Sequence, residues 1–142
     1  MTPNAAGQTA NDNLPVRFLA TASRYPDVEV LRWKDPAGEW QSWTMSRLAD
    51  ETARLTTALR DLGVGAGDRV VIMLTNRPEF HALDLAVMFL GATPISIYNS
   101  SAPEQIEYLV DHCEGKVAIV ENISFLERFN KVRAELPTLQ HL

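Results

Sequence analysis

A run of alternating glycines, Gly63-Val64-Gly65-Ala66-Gly67, is the segment of this sequence closest in type to a phosphate-binding loop. The dinucleotide-binding pattern needs a further glycine three residues after Gly65, and that position holds Asp68. Phosphate loops also lead from a strand into a helix, so that the helix N-terminus faces the anion. Here a predicted helix leads into a predicted strand, so we interpret these glycines as a tight reversal of the chain.

The other residue types with reactive side chains are scattered. His81, His112 and His141 lack the spacing of metal ligands, and we interpret His81 and His112 as cap or surface residues. Asp84 stands in an apolar helical pattern, and we predict that it pairs with a neighbouring arginine rather than serving as a pocket acid. The single cysteine, Cys113, is expected to be a small buried apolar residue. The sequence therefore predicts no catalytic, cofactor-binding or metal-binding residue.

Two polar segments follow predicted strands. They are Thr75-Asn76-Arg77 and Asn99-Ser100-Ser101, and each precedes a predicted helix. Ligands of open α/β sheets bind beyond the carboxyl ends of the strands, so both segments are candidates for a site. Helix capping is the interpretation that we favour for both.

The central part of the chain alternates between strand and helix patterns. Three apolar runs, at residues 69–74, 93–98 and 117–120, are typical of strands buried on both faces. Helical patterns at residues 78–90 and 103–113 separate them, and Ser101 with Glu104 matches a capping box. A last helical pattern covers about residues 124–135. This order predicts an α/β fold of parallel βαβ units with helices on both faces of the sheet.

The N-terminal part predicts a helix at residues 14–24 and a β-hairpin around a type I turn at Asp35-Pro36-Ala37-Gly38. If Asp35 and Gly38 close the turn, Trp33 faces Trp40 across the hairpin. Thr44 is placed to cap the helix that follows, and Gly63 to end it in a left-handed conformation.

Composition limits the compartment and the partners. The 142 residues carry a net charge of -5, which argues against nucleic-acid binding. One cysteine allows no internal disulfide, which is unusual for a small secreted domain. Residues 1–13 contain no Lys or Arg and no apolar run, so we predict a disordered leader rather than a signal peptide. The longest apolar run, residues 85–92, is far short of the ~20 residues of a membrane span. We predict a cytoplasmic protein with possible peripheral membrane contact.

The run from Trp43 to Glu121 resembles the opening of AMP-forming acyl-CoA synthetases, in the adenylate-forming superfamily. The matching segments are Trp43-Thr44, Leu62-Gly63-Val64, Gly67-Asp68-Arg69-Val70, Asn76-Arg77-Pro78-Glu79-Phe80, and Leu90-Gly91-Ala92 with Pro94. The segments Ser96–Ile106 and Leu136-Pro137-Thr138-Leu139 are similar to the long-chain fatty acid branch.

This resemblance implies an N-terminal piece of a ligase that activates a long-chain fatty acid. A carboxylate attacks the α-phosphate of ATP to give an acyl-adenylate and pyrophosphate, and the coenzyme A thiolate then displaces AMP. Mg²⁺ offsets the phosphate charge. In such enzymes the phosphate loop, the ribose-binding Asp and the adenylation Lys come later in the chain. Residues 14–142 would then be an incomplete N-terminal subdomain, inactive alone and without bound ATP, Mg²⁺ or coenzyme A.

An incomplete subdomain should expose apolar surface. We expect this surface around Val87, Met88 and Phe89, and we expect the fragment to self-associate through it. Three alternatives remain: a sibling ligase for aryl, short-chain or amino acids, a stand-alone doubly wound binding or signalling module, and a structural subunit that docks on a separate catalytic chain. Leu74-Thr75-Asn76 lacks the acidic residues of a phosphoryl acceptor, which argues against a receiver domain.

Overall fold

Five helices and five strands follow one another along residues 12–142, which are the residues that the computed structural model describes. The helices are α1 (Leu14–Arg24), α2 (Met45–Asp61), α3 (Pro78–Phe89), α4 (Pro103–His112) and α5 (Ile123–Lys131). The strands are β1 (Glu29–Lys34), β2 (Trp40–Thr44), β3 (Arg69–Met73), β4 (Thr93–Ser96) and β5 (Val117–Val120). A short 3-10 helix covers Arg133–Glu135.

The expected leader lies mostly outside the described residues, which begin at Asp12. Asn13, the last residue assigned to it, caps α1, because its side-chain oxygen accepts a hydrogen bond from Val16 N at 3.0 Å. Asp12 pairs with Arg17 at 2.6 Å. Residues 12 and 13 therefore belong to the start of α1.

The strands β3, β4 and β5 form a parallel sheet in the order β4-β3-β5. Val71 of the central strand lies opposite Ile95 on one side and Ala118 on the other. Residues 70–73 have no exposed surface, as their continuous apolar run predicts. Since α3 connects β3 to β4 and α4 connects β4 to β5, the predicted βαβ units are confirmed.

Helices cover both faces of the sheet. On one face, α2 and α3 bury a cluster that includes Leu59, Val70, Ile72, Leu83, Ala86 and Val87. On the other face, α4 and α5 bury a cluster that includes Val71, Met73, Ile106, Val110, Phe125 and Phe129. Burial of one such large side chain stabilises the fold by ~1.5–3 kcal/mol. The two clusters therefore hold the helices on the sheet, and with them the loops at its edges.

The β1-β2 hairpin forms as predicted, but in another register. Trp33 lies opposite Gln41, and Lys34 lies opposite Trp40, so the predicted pairing of Trp33 with Trp40 is wrong. The turn contains one more residue, because Gly38 adopts a φ of 86° and Asp35 N donates to Glu39 O at 3.0 Å. A type I turn followed by a left-handed glycine is a common three-residue hairpin loop. Trp33 instead meets Trp43 edge-to-face at 6.0 Å.

The start of α4 differs from the predicted capping box by one residue. Ala102 is the N-cap, and Gln105 Oε1 accepts from Ala102 N at 2.9 Å. Pro103 explains the shift, because proline fits the first helical position and keeps the preceding residue extended. The pair Ser101 and Glu104 is therefore not a capping box, and Ser101 is buried.

The expected apolar patch around Val87 is also wrong. Val87 has no exposed surface, and Met88 and Phe89 are half-buried. Val87 packs in the cluster that α2 and α3 bury on the sheet, and Phe18 of α1 packs edge-to-face on Phe89 at a centroid distance of 6.1 Å. Among residues 12–142, no helix is both long and apolar enough to cross a membrane.

Candidate functional site

The loops after β3, β4 and β5 lie at the carboxyl edge of the sheet, where the sequence predicted a candidate site. Glu121 directly follows β5, and its Oε2 accepts hydrogen bonds from both Thr75 N and Thr75 Oγ1 at 2.6 Å. Arg77 Nη1 lies 3.7 Å from Glu121 Oε1, and Arg77 Nε donates to Glu79 at 2.7 Å. The β3 loop is therefore held by the end of β5.

This network favours charged side chains. The hydrogen bond from the Thr75 hydroxyl, followed by that from the Thr75 amide, holds the pKa of Glu121 below its ordinary value. The hydrogen bond from Arg77 does the same for the pKa of Glu79. With both acids ionised beside one guanidinium, this corner suits a fixed ion pair better than a proton donor.

The β4 loop is held from the other direction. Arg128 of α5 donates to Asn99 O at 2.6 Å and to Ser101 O at 3.3 Å. Asn99 Oδ1 is buried and has no hydrogen-bond partner among residues 12–142. A buried acceptor such as Asn99 Oδ1 normally has a hydrogen-bond donor, so a donor from another group would gain a hydrogen bond there.

Helix capping, the favoured interpretation of the two loops, is wrong in detail. The backbone of Arg77 caps α3, but no side chain completes the cap, and Ala102 rather than Ser101 caps α4. The loops are held instead by Glu121 and Arg128, which sequence reasoning missed because they lie 46 and 27–29 residues away.

A groove beside the β4 loop has a volume of about 420 Å³. Its walls include Tyr98, Glu104 and Tyr108, and the two tyrosines are 84% and 66% exposed. The stacked pair of Tyr108 and His112, with a centroid distance of 5.5 Å, extends this surface. A groove with exposed aromatic and acidic groups can bind, but it offers no activated nucleophile.

The glycine run forms a reversal, as predicted. Asp68 Oδ2 accepts from Gly65 N at 2.8 Å and from Lys116 Nζ at 2.8 Å. Lys116 Nζ also donates to Gly63 O at 2.7 Å. A carboxylate of the chain itself thus takes the backbone N–H that a phosphate would need.

The remaining candidate residues do not come together. His81 packs on Phe80, His112 stacks on Tyr108, and His141 pairs with β5. Within residues 12–142, no group of three or more His, Cys, Asp or Glu side chains could hold a metal ion.

The predictions for Asp84 and Cys113 have different outcomes. No arginine forms an ion pair with Asp84 in the described part of the chain, so that prediction is wrong, and burial raises the pKa of its carboxyl. Cys113 is half-buried against the apolar cluster of α4 and α5, near the predicted environment. Burial raises the pKa of its thiol, which makes it a poor nucleophile.

These residues do not fit a nucleotide or a divalent cation. The N–H groups of the glycine run are already used, because Gly63 N donates to Arg60 O, Gly65 N to Asp68 Oδ2 and Gly67 N to Gly91 O. The corner that holds Glu79 and Glu121 already binds Arg77. The role that the described residues support is structural: they hold the loops at the carboxyl edge of the parallel sheet in place.

Comparisons with known proteins agree with this architecture. The chain is 36% identical over 125 residues to an uncharacterized protein of Mycobacterium tuberculosis, an alignment that covers 88% of this chain and 67% of that protein. It is 31% identical over 105 residues to the long-chain-fatty-acid--CoA ligase FadD15 of Mycobacterium bovis, covering 74% of this chain and 18% of the ligase.

The anthranilate CoA ligase AuaEII, solved in complex with anthranoyl-AMP, superposes with a TM-score of 0.78 at 24% identity. The superposition covers 87% of this chain and 23% of that structure, and it supports the fold alone. The chain thus spans about a fifth of the ligases that it matches. A family model described as AMP-binding enzyme matches residues 18–142, and the chain therefore belongs to the AMP-binding enzyme family.

Proposed function

We propose that this chain is the N-terminal scaffold of an AMP-forming acid–CoA ligase and that the acid is a long-chain fatty acid. The family match over residues 18–142 carries the first part of the proposal. The similarity to FadD15 supports the second, together with the Ser96–Ile106 segment.

The contacts of the described residues support the scaffold role. Glu121 and Arg128 hold the loops after β3 and β4 at the edge where ligands of α/β sheets bind. Among residues 12–142, no group of three or more His, Cys, Asp or Glu side chains could hold a metal ion, and Asp68 takes the Gly65 N–H. We therefore assign the binding of ATP, Mg²⁺ and coenzyme A to other polypeptide of the ligase. In this proposal residues 14–142 form one N-terminal subdomain of the ligase. The ligase is located in the cytoplasm.

The experiment is an exchange of N-terminal segments. Residues 18–142 replace the aligned segment in two host ligases, FadD15 and the anthranilate CoA ligase, and each chimera is assayed for its own acyl-CoA product. We expect palmitoyl-CoA synthesis by the FadD15 chimera and little or no anthraniloyl-CoA synthesis by the other. The isolated chain should show no ATP–pyrophosphate exchange with either acid.

A FadD15 chimera with Val71→Asp serves as the inactive control, because Val71 is fully buried in the sheet. Activity in the anthranilate host alone would overturn the fatty acid assignment. Exchange activity of the isolated chain, or inactivity of both folded chimeras, would overturn the scaffold role itself.

A further inference from the structure

A groove of about 290 Å³ lies between α1, β1 and α3. From α3 it is lined by residues whose spacing puts them on one face of the helix, namely His81, Asp84, Leu85 and Met88. A different face of α3, which includes Val87, packs on the parallel sheet. Among residues 12–142, none of the groove's lining residues belongs to the loops after β3, β4 and β5.

The other walls of the groove are apolar. Leu14 and Phe18 of α1 form one side, and Leu31 of β1 lies beside them. Met45 and Leu48, from the first turn of α2, close one end. Leu48 is buried, and Phe18 and Leu31 pack against the same apolar cluster. An apolar organic group that enters the groove therefore leaves water for apolar side chains, which favours its binding.

Asp84 is the one acidic side chain among the described residues that line the groove. No Lys or Arg lines the groove, and Asp84 forms no ion pair with any residue from 12 to 142. Residues 1–11 contain no Lys or Arg either. Burial raises the pKa of the Asp84 carboxyl, and the charge of His81 opposes this increase. The carboxylate would therefore be stabilised by a cation that enters the groove.

The surroundings of Asp84 decide which cation fits. A single carboxylate among apolar side chains does not suit Mg²⁺ or Ca²⁺, which take several oxygen ligands. An organic ammonium ion fits, because its N–H groups bind a carboxylate while its carbon skeleton contacts the apolar walls. The flexible thioethers of Met45 and Met88 also suit contact with an aromatic ring.

The size of the groove favours a small molecule over a protein partner. Its volume lies at the lower end of the ~300–1,000 Å³ that is usual for small-molecule sites. A stable protein interface buries about 800 Å² on each partner, which is far more surface than this groove offers.

We propose that this groove binds a small organic amine with an apolar body, held as its ammonium ion with Asp84 as the counter-ion. The site goes beyond the proposed function and does not depend on it, because the loops at the carboxyl edge of the sheet take no part. Asp84 is then a residue that costs stability in the free chain and gains its partner when the amine binds.

The test is a titration of the full chain with phenethylamine, followed by NMR of isotope-labelled methionine methyl groups. Met45 and Met88 line the groove, whereas Met73 is fully buried in the cluster of α4 and α5. We expect the signals of Met45 and Met88 to shift along one saturable curve and the Met73 signal to stay in place. Phenethyl alcohol has the same body without the charge, and it should bind about tenfold or more weakly.

Asp84→Asn removes the charge and keeps the size of the side chain. We expect its affinity for phenethylamine to fall about tenfold or more, to the level of the alcohol, while its affinity for the alcohol stays unchanged. Asp50→Asn is the matched control, since Asp50 is exposed on α2 outside the groove, and it should change neither affinity. The comparison of amine with alcohol uses the unchanged chain, so it holds even if a variant does not fold.

A lysine blocked at its backbone amine and carboxyl groups tests the alternative that the groove receives a lysine side chain of a protein. It carries an ammonium group without the aromatic body, and we expect it to bind about tenfold or more weakly than phenethylamine. Binding as tight as that of phenethylamine would overturn the small-molecule assignment.

Four further outcomes would overturn the proposal: no saturable shift with phenethylamine, equal affinities for the amine and the alcohol, an unchanged amine affinity in Asp84→Asn, or a shift at Met73 without shifts at Met45 and Met88. None of these outcomes bears on the activity of the chimeric ligases. Inactive chimeras would likewise leave this site untouched, so the two proposals fail separately.

Discussion

Lys116 Nζ lies 2.8 Å from Asp68 Oδ2 and joins the start of β5 to the glycine turn before β3. Asp68 Oδ2 also accepts from Gly65 N at 2.8 Å. The hydrogen bond from Lys116, followed by that from the Gly65 amide, holds the pKa of Asp68 below its ordinary value. A single carboxylate thus fixes the glycine reversal and the edge strand together.

We predict that Asp68→Asn lowers the free energy of unfolding by about 1 kcal/mol at pH 7, since it replaces a charge-assisted hydrogen bond of a partly exposed pair. The folded-state pKa of Asp68 is lowered, so its contribution is present above the unfolded pKa. That contribution is lost as the pH falls through the folded pKa. Urea unfolding at neutral and acid pH should show the two proteins converging below about pH 4.

Asp61→Asn is the matched control for this prediction. Asp61 lies 3.8 Å from Arg60 Nε, and its side chain is 70% exposed, so its loss should leave the free energy of unfolding unchanged. An equal loss in the two variants, or a loss at Asp68 that does not depend on pH, would contradict the assignment.

Gly115 marks a close approach between α4 and β3. A Cβ added there would lie 2.8 Å from Val71 Cγ2 and 3.2 Å from Val110 Cγ1, both in fully buried side chains. We predict that Gly115→Ala lowers the free energy of unfolding by about 1–3 kcal/mol through overpacking. Gly65→Ala is the control, because no atom lies within 4 Å of its added Cβ and it should be near neutral. Denaturant unfolding of both variants measures the difference, and equal stability of the two would contradict the packing argument.

The helices and strands could be predicted because their signals are local. The apolar run of β3 and the helical stripe through Ile106 and Val110 each decide an element within a few residues. The end of α2 was equally local, since Gly63 adopts the left-handed conformation with a φ of 81°. The edge of the sheet that carries the candidate site followed from strand order alone.

The features that the sequence did not predict depend on the conformation of one residue or on partners that are distant in sequence. The left-handed conformation of Gly38 sets the hairpin register, and Pro103 sets the first residue of α4. At the candidate site, the partners Glu121 and Arg128 lie far from their loops in sequence, and side-chain pairing over such separations has no periodic signal. The burial of Val87 depended on how α2 packs on the sheet beside it, and the cover over Phe89 depended on where α1 docks.

Asp84 provides a prediction of opposite sign to Asp68. Burial raises the folded-state pKa of its carboxyl, so the ionised form costs stability at neutral pH. We predict that Asp84→Asn raises the free energy of unfolding at pH 7 by roughly 0.5 kcal/mol. The gain should vanish as the pH falls below the unfolded pKa, where Asp84 is protonated in both states. Thermal unfolding at both pH values tests this, with exposed Asp50→Asn as the control; a gain that persists in acid would contradict it.

The reactivity of the Cys113 thiol tests how α4 packs against the sheet without a measurement of unfolding. Burial raises its pKa, and the thiolate is the reactive form, so DTNB at pH 8 should modify the folded chain about tenfold or more slowly than the chain in urea. The control is Cys113→Ser combined with Lys131→Cys, since Lys131 is exposed at the end of α5. Its thiol should react at nearly the same rate in both states. A folded Cys113 that reacts as fast as this exposed thiol would mean that α4 does not pack against the sheet as described.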